Sequence, residues 1–347
     1  MKSPKLAELP SPPPSKTGWP WTAEVRALPP KRPDGSQWPR ISIVTPSYNQ
    51  GQFIEETIRS VLLQGYPDLE YIIFDGGSTD TTIGIIEKYE PWLTYWVSEI
   101  DRGQSHAINK GFRRSTGVIL GWLNSDDVLM PNALATVAGA LPDPDDEVLI
   151  AGMAEYRDIS GTRVIWVNDR IPRTFSDVFL HFDTYFAQPS VFFTRQALNS
   201  TGVLREDLHY AMDLDLWLRM ARHVRIILIE QHLSWMRDHK DAKTWRDNAL
   251  RVLDEAEGVL QPYYRLVSSG LVKRTYALAS QRRSEAWVTA GRRSMASGDR
   301  KNAWFAAYRA ARMRVGTMGS LGWIGLVLRL VLPRSVHPLI FSARAGR

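Results

Sequence analysis

Three short, mostly apolar segments, each followed at once by polar residues, constrain the fold of this chain more than any other feature of its sequence. They are residues 41–45, 69–74 and 118–123, and a cluster of Asn, Asp, Gly or Ser follows each of them. The segments between them, such as 52–64 and 79–89, carry apolar residues at helical spacing. Strands that alternate with helices in this way predict an α/β fold with a mainly parallel central sheet flanked by helices.

Composition predicts three regions along the chain. Residues 1–40 are rich in Pro and Trp and are expected to form an extended leader anchored by its Trp side chains. Residues 41–243 are expected to form the α/β domain, and residues 244–347 a helical C-terminal region with a hairpin near 294–298. Further elements of the α/β domain are predicted as strands 93–98, 148–157, 162–167, 188–193 and 225–229 and as helices 104–114, 131–141, 175–182 and 214–221.

The C-terminal region contains one segment, residues 321–332, that is apolar apart from Arg329. It is too short to span a bilayer. Two interpretations stay open: an amphipathic tail helix at a membrane surface, or a helix that packs on the α/β domain. The first residues lack the pattern of a signal peptide. We therefore expect a cytoplasmic protein, peripheral on the inner face of the cytoplasmic membrane if the first interpretation holds.

The charge balance is basic, with a formal net charge of +6 and a sequence pI near 9.5. Such a balance suits nucleic acid, a membrane surface or an anionic substrate, or reflects only an Arg-rich surface. We expect no nucleic-acid partner, because we interpret the basic residues as spread along the chain rather than gathered with aromatic residues in one stripe. The chain has no cysteine, which excludes disulfides and cysteine-ligated metals.

The polar residues after the predicted strands point to one shared site, since ligands of open α/β sheets bind beyond the carboxyl ends of the strands. Asp75 precedes two glycines that would let a ligand approach the backbone closely. The cluster 124–127, Asn-Ser-Asp-Asp, suits a Mg²⁺ or Mn²⁺ ion that bridges a carboxylate to substrate phosphates. It would equally suit a cap of the following helix. Neither the Gly-x-Gly-x-x-Gly nor the P-loop pattern occurs, which disfavours those nucleotide sites.

Three further clusters have both a functional and a structural interpretation. Asp101 and Arg102 precede a predicted helix that carries Lys110, and Arg102 and Lys110 would contact an anion or belong to an exposed charged turn. Asp213 opens another predicted helix, where it would cap the helix or accept a proton from a hydroxyl group. Arg237 and His239 are expected in a polar loop after the last strand, which would close over a diphosphate or hold His239 in a purely structural role.

Taken in order, these clusters resemble the family 2 glycosyltransferases, which have the GT-A fold. The resemblance covers about residues 38–245 and is carried by Thr45-Pro46-Ser47-Tyr48-Asn49, Asp75-Gly76-Gly77-Ser78-Thr79-Asp80, Asp101-Arg102-Gly103-Gln104-Ser105, Ala107-Ile108-Asn109-Lys110-Gly111, Asn124-Ser125-Asp126-Asp127, Asp213-Leu214-Asp215-Leu216-Trp217-Leu218 and Arg237-x-His239. It implies an inverting, metal-dependent transfer of a sugar from a UDP-, GDP- or dTDP-linked donor to a hydroxyl group. The acceptor would be a glycan or a lipid-linked molecule in bacterial exopolysaccharide or lipopolysaccharide biosynthesis.

The resemblance also implies a role for each matching residue. Asp213 would be the general base, and Asp126 and His239 would bind Mg²⁺ or Mn²⁺. The residues expected to hold the donor are Pro46, Tyr48, Asn49, Asp75, Gly77, Asp101, Arg102, Asn109, Lys110, Asn124, Ser125 and Asp127. Gln188 and Pro189 are expected to line the acceptor side.

A second hypothesis belongs to a different functional class. Asn124 stands where many family members have Asp, and Met212 stands where an acidic residue is common before the base. These two departures suit a catalytically impaired scaffold that binds a sugar nucleotide within a polysaccharide assembly.

Overall fold

The computed structural model describes residues 3–180, 186–243, 248–265 and 271–313, and the structural statements below concern these residues. The chain divides into two compact units. The first comprises Met1–Val178 and Thr184–Ala242, and the second comprises Phe179–Asp183 and Lys243–Arg347.

The first half of the first unit is a parallel sheet connected through helices. Its strands are β1 (Ile41–Ser47), β2 (Leu69–Asp75), β3 (Tyr95–Ser98) and β4 (Ile119–Trp122). Its helices are α1 (Ile54–Leu62), α2 (Thr82–Tyr89) and α3 (Gln104–Arg114). The strands lie in the order β3-β2-β1-β4, and all three neighbouring pairs are parallel. The predicted alternation of strands and helices is confirmed here.

The second half adds strands of both directions to the same sheet. Its elements are β5 (Val128–Leu129), α4 (Ala133–Ala140), β6 (Val148–Arg157), β7 (Val164–Asn168), α5 (Phe175–Leu180), β8 (Val191–Thr194), α6 (Arg195–Thr201), α7 (Met212–His223) and β9 (Arg225–Arg237). Strand β8 lies antiparallel between β4 and β6, and β9 runs parallel to β6. Within the described residues the sheet has nine strands, with β5 at the far edge and β7 paired to β6.

Two predicted strands differ from the structure by more than two residues at one end. The strand expected over 188–193 begins only at Val191, and Gln188–Ser190 form a 3-10 turn. Pro189 explains the difference, because proline has no N–H to donate to a sheet ladder. The strand expected to end at residue 229 continues to Arg237. Its register against β6 shifts between Gly152 and Ala154, so the polar residues that interrupt its apolar pattern lie at a bulge. Arg237 is therefore a strand residue, not a loop residue.

The leader, residues 1–40, packs on the rest of the first unit through its own tryptophans and through a buried arginine of α1. Trp21 is buried, and the indole N–H of Trp19 donates to the carbonyl of Leu129 at 2.8 Å. Arg59 of α1 is fully buried and donates to the carbonyls of Pro10, at 2.9 Å, and of other leader residues. These hydrogen bonds fix the leader, which is extended and forms few backbone hydrogen bonds within itself.

The described helices of the second unit are α8 (Ala249–Leu260), α9 (Leu271–Ala296) and α10 (Arg300–Met313). Helices α9 and α10 form the predicted hairpin, with Gly298 at positive φ in the turn. The predicted tail helix 321–332 lies outside the described residues. Among the described helices, none combines the length and apolar character needed to cross a membrane.

Candidate active site

The carboxyl ends of β1, β2 and β4 meet at one edge of the sheet. Ser47 pairs with Asp75 across β1 and β2, and Val44 pairs with Trp122 across β1 and β4. Strand β1 continues past the last residue that pairs with β4. Pro46 lies in this extension, so no β4 carbonyl is left without a partner by the N–H that proline lacks. The polar residues that follow the three strands therefore share one edge, as the sequence predicted.

The loop after β2 is organised around Asp75. This carboxylate is buried and accepts bonds from the backbone N–H groups of Gly77 and Ser78 at 3.1 and 2.8 Å. It also accepts from the hydroxyls of Ser78 and Ser98 at 2.5 and 2.6 Å. Gly77 adopts φ +84°, a conformation that favours glycine. Asp75 thus shapes the loop, and its predicted contact with the donor stays a prediction.

The loop after β1 is fastened to the loop after β2 by Asn49. Its side-chain oxygen accepts from the N–H of Thr79 at 2.9 Å, and its own N–H donates to Ser78 Oγ at 2.7 Å. Asn49 adopts φ +52°, which asparagine tolerates better than most residues. The neighbouring Tyr48 is 61% exposed, so its ring is available at the sheet edge.

The predicted donor residues on α3 and before it are engaged with other parts of the first unit. Asn109 is buried; its amide donates to the carbonyl of Leu204 at 2.9 Å and accepts from the N–H of the same residue at 3.1 Å. Both Asn109 and Arg102 bind the carboxylate of Glu206, at 3.1 and 2.5 Å. The hydrogen bond and charge of Arg102 lower the pKa of Glu206. Sequence reasoning missed Glu206, since it lies in a loop about a hundred residues further along the chain.

Two further residues predicted to hold the donor flank the loop after β2, which contains Gly76 and Gly77. Asp101 accepts from the N–H of Gly103 at 2.7 Å, and its carboxylate lies so near Gly76 that a Cβ there would be 3.0 Å away. Lys110 pairs with Glu99 at 2.7 Å. Both side chains therefore lie close to the loop after β2.

Asn124 is the centre of a polar network beyond β4. Its oxygen accepts from Gln104 Nε2 at 2.7 Å, and its Nδ2 donates to Asp127 Oδ2 and to Gln188 Oε1, each at 3.0 Å. Gln188 in turn donates to the carbonyl of Trp122 at 2.7 Å. The predicted acceptor-side residue Gln188 therefore touches the predicted donor motif directly. Ser125 and Pro189, the other predicted residues here, are buried.

Asp127 carries an unusual protonation equilibrium. It is buried, and its burial together with the adjacent charge of Asp126 raises its pKa well above the usual range. The hydrogen bond from Asn124 and the charge of Arg237 oppose this shift. The two neighbouring carboxyl groups therefore carry less negative charge than two isolated aspartates.

Asp126 is in contact with His239, which comes from 113 residues further along the chain. The His239 Nε2 lies 2.9 Å from Asp126 Oδ2, and the imidazole is almost fully buried against Phe53, with ring centroids 4.7 Å apart. Its Nδ1 is buried without a hydrogen-bond partner among the described residues. A histidine with a purely structural role would be expected to satisfy both ring nitrogens.

The pair is braced by Arg237 at the end of β9. This side chain is buried and stacks between Phe53 and Trp235. It donates to Glu56 Oε2 at 3.0 Å and, through Nε, to the carbonyl of Asp126 at 3.3 Å. Sequence reasoning placed Arg237 in a polar loop and missed Glu56, an acid in the first turn of α1 that lies among the buried residues of this helix.

The side chains at this edge supply only some of the ligands that a divalent cation needs. Asp126 offers a carboxylate oxygen and His239 an imidazole nitrogen, and both ligand types suit Mn²⁺, with oxygen preferred by Mg²⁺. In the described part of the chain, no group of three or more His, Cys, Asp or Glu side chains is arranged to hold a metal. The residues therefore fit an ion that takes its remaining ligands from water and substrate phosphates, not an ion held by the protein alone.

Asp213 lies in the first turn of α7, which packs over the end of β4. Trp217 of this helix stacks on Trp122 with ring centroids 5.3 Å apart. The hydroxyl of Ser105 contacts Met212 Sδ at 2.7 Å, beside Gln104, whose amide binds the Asn124 network. Asp213 is half-buried and accepts from the N–H of Leu214 at 2.7 Å. The structure thus brings the turn that holds Asp213 to the side of the sheet edge that carries residues 124–127.

Comparison with known proteins gives a consistent result. Residues 42–201 match the family described as glycosyl transferase family 2. The chain is 29% identical over 232 residues to an uncharacterized glycosyltransferase of Rickettsia typhi, across 64% of this chain and 70% of that protein. It is 35% identical over 105 residues to an uncharacterized glycosyltransferase of Mycobacterium tuberculosis, across 30% of this chain and 40% of that protein.

One solved structure supports the fold. The mannosyltransferase PcManGT from Pyrobaculum calidifontis, in complex with GDP-Man and Mn²⁺, superposes with a TM-score of 0.52 over 84% of this chain and 87% of its own, at 22% identity. The GT-A fold expected from the ordered motifs is confirmed.

Proposed function

The chain belongs to the family 2 glycosyltransferases through residues 42–201, and we propose that it moves a sugar from a nucleotide-diphosphate sugar to a hydroxyl group with inversion at the anomeric carbon. The observation that carries the proposal is the contact between Asp126 and His239 at the carboxyl end of β4. It joins two residues that the resemblance assigns to the divalent metal ion, and it lies at the edge of the sheet where ligands of such folds bind.

The donor would lie across the loops after β1, β2 and β4. Tyr48 offers an exposed ring to a nucleobase, and Asp101 offers a carboxylate beside the loop after β2 to a ribose or base donor group. The Asn124 network and Asp127 would face the sugar. A UDP-, GDP- or dTDP-linked sugar fits this arrangement, and the choice among the three bases is left to experiment.

The departing diphosphate needs positive charge at the β4 edge. A Mg²⁺ or Mn²⁺ ion held by Asp126, His239 and diphosphate oxygens would supply it when bound. The proposal of a divalent ion is supported by PcManGT, which has the same fold and whose structure is of a complex with GDP-Man and Mn²⁺. Arg237 and Glu56 would keep the Asp126 backbone and the His239 ring in place through the buried contacts described above.

Asp213 would act as the general base. Its carboxylate takes the proton of the acceptor hydroxyl while that oxygen attacks the anomeric carbon from the face opposite the diphosphate. The new glycosidic bond forms as the bond to the diphosphate oxygen breaks, so no glycosyl-enzyme is required. Gln188 and Pro189 would border the acceptor, which we take to be a glycan or lipid-linked hydroxyl compound in polysaccharide biosynthesis.

A scaffold without catalysis is the second candidate, and two observations favour it. Both N–H groups of the Asn124 amide donate to Asp127 and Gln188 and its oxygen accepts from Gln104, and the raised pKa of Asp127 reduces the negative charge beside Asp126. Both effects weaken the attraction for a cation. A scaffold would bind a sugar nucleotide but release no nucleoside diphosphate.

A donor screen tests the proposal. The full chain is mixed with UDP-, GDP- and dTDP-sugars, with and without Mn²⁺, and both the melting temperature and the release of nucleoside diphosphate are measured. The proposal expects one nucleotide class to raise the melting temperature in a Mn²⁺-dependent way and to be consumed when an acceptor is added. Stabilisation without consumption across acceptors favours the scaffold, and no response to any donor contradicts both candidates.

A further inference from the structure

Helix α10 exposes its large apolar residues and buries its small ones. The residues on its buried face are all alanines: Ala303, Ala306, Ala307 and Ala310. The opposite face carries Trp304, Phe305 and Tyr308, which are 47%, 40% and 58% exposed. A helix whose only function is to pack in a folded unit normally places its large apolar side chains inward. The arrangement in α10 is the reverse.

Contacts within the hairpin fix α10 in this orientation. The Phe305 ring meets Trp287 of α9 edge-on, with centroids 5.6 Å apart, and the hydroxyl of Ser284 donates to the carbonyl of Ala310 at 3.0 Å. Alanines let the axes of two helices approach closely, because little side-chain volume separates them. Rotation of α10 to bury Trp304 would force bulky rings into this close contact. The outward aromatic face is therefore part of the folded hairpin.

The same part of the chain holds an excess of positive charge. Residues 300–347 contain nine of the 43 Lys and Arg residues and none of the 37 Asp and Glu residues, so they carry a formal charge of +9 while the first 299 residues carry −3. The expectation that basic residues are spread along the chain is wrong for this segment. In α10, Lys301 lies on the exposed face, one turn before Trp304 and two turns before Tyr308, and Arg300 is exposed beside it.

We propose that the exposed face of α10, defined by Lys301, Trp304, Phe305 and Tyr308, binds the surface of an anionic lipid bilayer. Trp and Tyr rings settle at the boundary between headgroups and acyl chains, and flanking cations are attracted by anionic lipids. A second copy of the chain is a poor occupant, because symmetric pairing would bring the two cationic faces together. One of the two open interpretations of the apolar run 321–332 that follows in the sequence, a helix at a membrane surface, agrees with this proposal. This inference does not depend on the proposed sugar transfer.

Vesicle flotation with the full chain tests the proposal. The protein is mixed with neutral phosphatidylcholine vesicles or with vesicles that contain about 30% phosphatidylglycerol, and the floated fraction is measured at low and high salt. We expect binding to the anionic vesicles that weakens with salt. The double variant Trp304→Ala/Tyr308→Ala should lower the partition coefficient by about tenfold per ring. Lys301→Glu should weaken binding to anionic vesicles only.

The matched control is Trp166→Ala in β7, since this tryptophan is 48% exposed in the first unit. It should float like the wild type. Equal flotation of wild type and Trp304→Ala/Tyr308→Ala would refute the proposal, as would loss of binding only after Trp323→Ala in the following segment. A single-stranded nucleic acid that competes in a gel shift, without any flotation, would assign the face to that partner instead and would also refute it.

Discussion

The buried ion pair between Glu56 and Arg237 offers a quantitative test of how the site is braced. Glu56→Gln keeps the side-chain volume but leaves the Arg237 guanidinium, whose side chain is 1% exposed, without its anionic partner at 3.0 Å. Removing one member of a buried pair costs about 3–5 kcal/mol, because the remaining charge stays desolvated. Gln retains one hydrogen-bond acceptor, so we expect the lower end, about 3 kcal/mol. At about 2–4 °C per kcal/mol, the melting temperature of the first unit should fall by about 6–12 °C.

The control is an ion pair of the same length at the surface. Arg40 and Asp68 also lie 3.0 Å apart, but their side chains are 45% and 35% exposed. Asp68→Asn should cost less than about 1 kcal/mol, because water screens such pairs. Chemical denaturation of both variants, followed by tryptophan fluorescence, compares the two losses. Equal losses of stability in the two variants would refute the argument that the Glu56–Arg237 pair contributes more because Arg237 is buried.

Two further predictions concern groups that the site uses. Asp127→Asn should stabilise the protein at pH 8 but not near pH 4. Because the pKa of Asp127 is raised in the folded state, wild-type stability falls by about 1.4 kcal/mol per pH unit as the pH rises from the ordinary carboxyl pKa to the folded-state pKa. Denaturant midpoints of both proteins across pH measure this, and a difference between them that does not change with pH would contradict it. Asn109→Ala should cost about 2–3 kcal/mol and raise the hydrogen exchange of the Leu204 amide, because the bonds to Leu204 and Glu206 are lost; unchanged exchange would show that the amide does not hold that loop.

Local sequence pattern was enough to predict the parallel first half of the sheet, strands β1 to β4. Each strand from β1 to β4 and the helices between them show their own periodicity, and short connections leave the parallel order with little choice. The residues after these strands then had to meet at one edge, so grouping Asp75 with the cluster 124–127 needed no knowledge of distant contacts.

The parts that sequence did not predict depend on pairings between distant segments. Strand β8 lies between β4 and β6, and a bulge lets β9 continue to Arg237. Both features depend on which residues pair across strands, and the periodicity of a single segment does not show that. The partners of Arg237 and Asn124, namely Glu56 and Gln188, come from elements remote in sequence. Helix α10 was expected as a helix, but only its packing on α9 shows which face is exposed.

The central claim is that Asp126 and His239 bind the donor diphosphate with a divalent ion and that Asp213 is the base. Titration calorimetry of the nucleotide chosen by the donor screen, with and without Mn²⁺, combined with sugar-transfer assays on wild type, Asp126→Asn and Asp213→Asn, tests it most directly. Wild type should bind at least about tenfold tighter with Mn²⁺, Asp126→Asn should lose that gain, and Asp213→Asn should keep it while losing transfer by about a hundredfold or more. Metal-independent binding in the wild type, or full transfer by Asp213→Asn, would contradict the claim.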